Sequence, residues 1–318
     1  MTQPEGRLRL TLLGGFLGSG KTTWLRHHLF ERTFGRVHVI VNEAAQAPVD
    51  DVLLHGADQM TLLAGACVCC AGRDALQRTL LDLCDARSRT ADPTTRLEHI
   101  VLETSGLADP GAILRLIQDH PILVRQIVVA ETIVIVDALN AIDQIRQEAL
   151  SRKQIEAADR LILTKTDLTA PSAITQLRAT LRALAPGAAQ SAASFGNALA
   201  LPDLPPGADP IALPALDDQD PTPIHASQLD LGDTPDWTAF TVWLSALLHA
   251  RGDQIVRVKG VVRTPAGRLL LQTVRRSVQS PEILPDPATP CETDNIIAVI
   301  GRGFTQDQLT TSLARFNA

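Results

Sequence analysis

Short apolar runs punctuate the first half of the chain at regular intervals. Leu8 to Leu13 is one, and Arg36–Val41, His99–Leu102, Thr132–Val136 and Leu161–Leu163 have the length and β-branched content of further buried strands. Between them lie stretches in which apolar residues recur at helical spacing: Thr22–Phe30, Arg73–Ala86, Ala112–Gln118 and Ser172–Ala183. This alternation predicts an α/β fold, a doubly wound and mostly parallel sheet with helices on both faces and ligands at the carboxyl ends of the strands. From about Pro186 to Asp236 proline, alanine, glycine and aspartate dominate, as in Leu201-Pro202-Asp203-Leu204-Pro205-Pro206, which reads as a linker. Periodicity returns at Trp237, where Trp237, Phe240, Trp243, Leu244, Leu247 and Leu248 share one helical face. A hairpin around Thr264–Gly267, a strand over Asn295–Ile300 and a helix over Gln306–Phe316 complete a small α+β domain. The expected division is 1–196 for the first domain, 197–235 for the linker and 236–318 for the C-terminal domain.

The loop after the first apolar run carries the strongest chemistry. Gly15-Phe16-Leu17-Gly18-Ser19-Gly20-Lys21-Thr22 has the spacing of a phosphate-binding loop, set between a strand and a helix as that motif requires. Gly15, Gly18 and Gly20 let the backbone wrap closely, with Ser19 among them. Lys21 is expected to reach the β- and γ-phosphates, and the Thr22 hydroxyl, followed by Thr23, to hold Mg2+. Ile100–Gly106 is a buried strand ending in Glu103, where such proteins sense magnesium and the γ-phosphate. Thr164-Lys165-Thr166-Asp167 ends another strand and resembles the guanine-reading Asn-Lys-x-Asp motif. A carboxylate at Asp167 can accept from both N1–H and the 2-amino group of guanine, which adenine does not offer there, so GTP is favoured over ATP. Thr164 replaces the amide that usually steadies that site.

Composition narrows the partners. A net charge of −6 over 318 residues, with no long basic run, argues against a dedicated nucleic-acid surface. No segment has the length and apolarity of a membrane span, and the first apolar run is broken by Gly14 and Gly15, which argues against a cleaved signal peptide. A cytoplasmic protein is the expectation. Three of its five cysteines fall within Cys67-Val68-Cys69-Cys70, which is not a secreted disulfide framework.

In order along the chain, Gly15–Thr23, Asn42-Glu43, Cys67–Cys70, Glu103-Thr104-Ser105-Gly106-Leu107-Ala108-Asp109-Pro110, Val136-Asp137-Ala138, Thr164–Asp167, Arg257-Val258-Lys259-Gly260 and Ile300-Gly301-Arg302 resemble the landmarks of the CobW-like metal-handling GTPases, relatives of the nickel-insertion GTPases. The resemblance covers nearly the whole chain. It implies slow intrinsic GTP hydrolysis, with Lys21 and Glu103 in the catalytic machinery, coupled to delivery of a transition metal, commonly zinc or cobalt, to a client metalloprotein. It leaves the oligomeric state open. One departure stands out: Asn42-Glu43-Ala44-Ala45-Gln46-Ala47-Pro48-Val49-Asp50 lacks two glycines and an acid of the family pattern, and its proline and alanines stiffen the loop.

Thiolates suit Zn2+, Cu+ and, less exclusively, Co2+. Cys67, Cys69 and Cys70 are the candidate metal ligands. Because Cys69 and Cys70 are neighbours, two thiolates with Glu43 or His120 form an alternative set; His120 enters only because the resemblance places a ligating histidine there. Structural or redox-active cysteines in a nucleotide-gated interaction or activator protein are the competing interpretation. Cys84, among leucines, reads as core, Cys291 as incidental, and His27 and His28 as solvated surface.

Overall fold

A computed structural model describes residues 6–43, 59–64, 72–92, 94–216, 224–252, 254–274, 277–278, 281–284 and 294–316. Two compact units divide at Gln219 and Asp220. The first contains β1 (Leu8–Gly15), α1 (Lys21–Phe30), β2 (Val37–Glu43), β3 (Gln59–Ala64), α2 (Gly72–Arg89), β4 (His99–Glu103), α3 (Pro110–Asp119), α4 (Leu123–Gln126), β5 (Ile127–Asp137), α5 (Ala141–Gln147), α6 (Ala149–Glu156), β6 (Arg160–Thr164), a 3-10 turn (Thr166–Leu168), α7 (Pro171–Leu184), β7 (Ala189–Ser194) and β8 (Asn197–Leu199). Its sheet runs β3-β2-β4-β1-β5-β6-β7-β8, parallel throughout except for the β7–β8 hairpin. This is the doubly wound arrangement expected.

Alternation along the strands sorts the core into two layers. Leu13, Val39, Val101, Ile133 and Ile135 pack with Trp24, Leu25 and Leu29 of α1. Val134, Val136, Leu161 and Leu163 pack with Ile145 and Ile155 and with Ile174, Leu177 and Leu181 of α7. Strands buried on both faces are near-continuously apolar, which is why the runs were legible.

The expected linker differs from the structure at both ends. Residues 197–199 form β8 in the first sheet, and the extended chain beyond it stays on this unit: Ile211 is buried and donates its N–H to the Thr180 hydroxyl, and Arg152 holds the Pro214 carbonyl at 2.9 Å. Residues 224–230 are already a strand, β9. Proline lacks a ladder donor, and frequent alanine blurs the apolar periodicity, so a segment docked by individual side chains looks like a tether in sequence.

The second unit contains β9 (Ile224–Asp230), α8 (Trp237–Arg251), β10 (Ile255–Thr264), β11 (Gly267–Val274), β12 (Ser277–Val278), β13 (Glu282–Leu284), β14 (Ile296–Arg302) and α9 (Gln306–Ala314). Its antiparallel sheet follows β12-β11-β10-β14-β9, with β13 on β11. Phe240, Trp243, Leu244 and Leu248 of α8 fill the core against Val258, Val262, Leu271, Ile297 and Val299. Asp236 caps α8, and a reciprocal Thr305–Gln308 box caps α9.

Candidate functional site

The carboxyl end of β1 opens into the phosphate loop. Gly15, Gly18 and Gly20 all have positive φ, at 136°, 75° and 93°, and a Cβ on Gly15 would lie 2.4 Å from the Ile135 carbonyl oxygen. Only glycine fits there. Lys21 is 8% exposed, its Nζ donating to the carbonyls of Gly15 (2.9 Å) and Phe16 (3.2 Å) at the start of α1. The buried Ser19 hydroxyl has no hydrogen-bond partner among the described residues.

Register then places Glu103 beside this loop, because Leu13 of β1 pairs with Glu103 of β4. The Thr22 hydroxyl donates to Glu103 Oε1 at 2.5 Å, and Glu103 is 1% exposed. Beyond β4, Thr104 N–H donates to the Leu13 carbonyl, and a Cβ on Gly106 would approach the Leu17 nitrogen to 2.6 Å. Gln154 of α6 clamps the same segment from the other side, its Nε2 donating to the carbonyls of Gly106 (3.1 Å) and Ala108 (2.9 Å).

A pocket of about 240 Å³ lies next to the phosphate loop, lined by Thr23 and Trp24, by Thr164, Lys165 and Asp167, and by Ser194–Gly196 of the β7–β8 turn. Thr164 compensates for its missing amide: its hydroxyl donates to the Ser19 carbonyl (2.8 Å), and the Val136 carbonyl lies 3.3 Å from the same oxygen and shares the one proton. Lys165 adopts φ 58°, and its Nζ donates to Gly18 O (3.0 Å) and Asp137 Oδ2 (2.7 Å). Burial would raise the Asp137 pKa, but hydrogen bonds from Lys165, Asn140 and the Leu139 N–H outweigh it, so the carboxyl lies below its ordinary value and stays ionised. Asp167 is exposed at the pocket. Asp137 and the Ser194–Gly196 turn were not singled out as site residues from sequence; Val136-Asp137-Ala138 at a strand's carboxyl end was the available signal.

The candidate metal ligands are less fully described. Cys67, Cys69 and Cys70, the Ala44–Asp50 loop and Cys291 lie outside the described residues; Glu43 closes β2 opposite Ala64 of β3. Among the described residues no group of three or more His, Cys, Asp or Glu could hold a metal ion. His120 ends α3, and its Nδ1 accepts from the N–H groups of Ile122 (3.3 Å) and Leu123 (3.4 Å), which assigns the proton to Nε2. Arg73 near the start of α2 pairs with Asp119 at 3.8 Å, so the helix that follows the cysteine cluster begins beside the residue preceding His120. Cys84 is buried, its thiol pushed up to about 11 chiefly by burial, as core packing requires. His27 and His28 are half-buried rather than solvated: His28 stacks on Trp24 at 3.8 Å, and His27 abuts Gly196.

Comparisons with known proteins agree with this layout. Residues 9–191 match the CobW/HypB/UreG nucleotide-binding domain, and residues 226–317 match the cobalamin synthesis protein cobW C-terminal domain. The zinc chaperone YjiA of Escherichia coli (strain K12) is 38% identical over 162 residues, 51% of this chain and 50% of that protein. The zinc chaperone CobW of Pseudomonas aeruginosa is 28% identical over 312 residues, 84% of this chain and 80% of that protein. A crystal structure of a zinc-bound triple mutant of the YjiA GTPase superposes with a TM-score of 0.63 at 26% identity, covering 98% of this chain and 99% of that one. In the first three sequence alignments the chain spans about half the length of the relative: 50%, 55% and 42%. With a phosphate loop on a doubly wound sheet and both domain matches in order, the chain belongs to the CobW/HypB/UreG family and carries the cobW C-terminal domain.

Proposed function

We propose that this protein is a GTP-hydrolysing metallochaperone that carries zinc to a client metalloprotein. The observation that carries the nucleotide half is the juxtaposition, at the carboxyl ends of the strands, of the glycine cradle with a pocket that presents the exposed Asp167 carboxylate. Gly15, Gly18, Ser19, Gly20 and Lys21 would hold the phosphates, and Thr23, Thr164, Lys165 and Asp167 the nucleoside. Thr22 and Glu103 would hold Mg2+, which supplies charge to the β- and γ-phosphate oxygens when bound. These residues bind, orient and neutralise; none is an arginine poised to speed phosphoryl transfer, so slow turnover without a partner is part of the proposal.

Zinc is the cargo that best suits three thiols within four positions, and relatives named zinc chaperones support it over cobalt. Cys67, Cys69 and Cys70 with Glu43 form the favoured set. His120 could ligate through Nδ1 only by giving up its two N–H contacts, and through Nε2 only by moving its proton, so it ranks behind Glu43.

Direct titrations test both halves. The parent should bind GTP at least about tenfold more tightly than ATP, Asp167→Asn should lose that preference and Lys21→Ala should lose both nucleotides. Cys69→Ser should lose zinc in competition with a chromophoric chelator while keeping GTP. Equal affinity for GTP and ATP in the parent would overturn the guanine assignment, and undiminished zinc affinity in Cys69→Ser would overturn the cysteine site.

A further inference from the structure

The β7–β8 hairpin turns on two residues, since Ser194 pairs with Asn197 and only Phe195 and Gly196 lie between. Both have positive φ, 50° and 93°. That combination is a type I′ turn, whose first position usually takes asparagine, aspartate or glycine. A bulky aromatic residue is disfavoured there. Core packing does not offset the cost, because Phe195 is 80% exposed. The turn is nonetheless seated firmly: a Cβ on Gly196 would fall 2.1 Å from His27 Cβ, so the hairpin presses on α1, the helix that starts at the phosphate loop. Phe195 lines the same pocket as Lys165, Asp167 and Leu168.

Strain at an exposed residue beside a pocket points to a ligand contact. We propose that Phe195 is the aromatic platform on which the purine of the bound nucleotide stacks, a role that rests on the nucleotide site proposed above. Its task is separate from that of Asp167. A carboxylate reads the base edge, whereas an aromatic face meets the π-surface that every base shares. Phe195 therefore sets affinity without setting base identity.

The separation provides the test. Phe195→Asn relieves the turn and removes the ring, so thermal stability should rise or hold while GTP and GDP affinity fall about tenfold, a typical loss for one stacking platform. ATP affinity should fall by the same factor, leaving the GTP-to-ATP ratio unchanged, and Phe195→Trp should restore binding. Asp167→Asn should do the reverse, changing the ratio. Calorimetry with GTP, GDP and ATP on the full chain reads all of these. Affinities in Phe195→Asn within about twofold of a parent that binds GTP would overturn the stacking role. So would a loss confined to guanine nucleotides. A parent that binds GTP and ATP equally, yet loses both in Phe195→Asn, would refute the guanine reading while supporting the platform.

Discussion

Single residues show how the site tolerates departures from the family pattern. Thr164 lacks an amide, yet one hydroxyl reaches both the phosphate loop and β5, a substitution of one short hydrogen-bonding group for another. Asp137 is the anchor beneath Lys165, and its depressed pKa means its contribution is present at neutral pH and lost only as pH falls through the acid range of a stabilised carboxylate. A buried histidine in the same unit weakens stability in the same direction of pH, because its neutral form is the one the fold favours. His99 of β4 contacts the Thr11 hydroxyl at 2.9 Å, and burial first, then the Arg9 charge, brings its pKa down to about 4 despite an opposing backbone hydrogen bond at Phe34. Below the ordinary value of about 6.5 the unfolded chain takes up a proton that the folded chain refuses. Stability should therefore fall as pH drops from 6.5 toward 4, by no more than about 1.4 kcal/mol per pH unit from this residue, and flatten below. Urea unfolding at several pH values should show a shallower acid slope in His99→Gln than in the parent; parallel slopes would contradict the assignment.

At the scale of elements, the segment after β4 is wedged between the phosphate loop and α6. Gly106→Ala would set a methyl group 2.6 Å from the Leu17 nitrogen and 2.7 Å from its Cα, both backbone atoms that cannot swing aside. The expected cost is about 1–3 kcal/mol of stability, with GTP turnover lowered by up to about a hundredfold through misplacement of Glu103 and Thr22. Thermal unfolding and single-turnover hydrolysis measure the two effects, and full turnover in Gly106→Ala would mean that this contact does not position the site. Elements with strong apolar runs, β1, β2, β4 and β6, were legible because burial on both faces demands such runs. β7 was not: Ala-Gln-Ser-Ala-Ala-Ser has little β-propensity and is a strand because β6 offers it a parallel edge and β8 a hairpin partner. With β7 hidden, the Phe195–Gly196 turn could not be recognised as a wall of the pocket. β9 was masked similarly by the polar Ile224–Asp230 sequence, which takes its register from β14.

Across the whole molecule, the two units have separate cores, and the family's two domains map onto them in order. The phosphate loop, Glu103, Thr164 and Asp167 were candidates from sequence because each lies at or just beyond the end of a buried strand, and the structure brings these strand ends to the same end of the sheet. The candidate metal ligands rest on chemistry alone, since the spacing of Cys67, Cys69 and Cys70 says which ions suit them but not how the chain folds around one. The central claim joins these two kinds of residue: the cysteines lie in sequence between β2 and β4, the strands that end at Glu43 and Glu103. Occupation of the nucleotide site should therefore change zinc affinity, and linkage requires zinc to change GTP affinity by the same factor. The deciding measurement is a zinc titration of the full chain against a chromophoric chelator, with and without a non-hydrolysable GTP analogue and magnesium. The account predicts affinities that differ by about 5- to 150-fold between the two states, equivalent to 1–3 kcal/mol of coupling, whereas identical zinc affinities would contradict a GTP-gated chaperone.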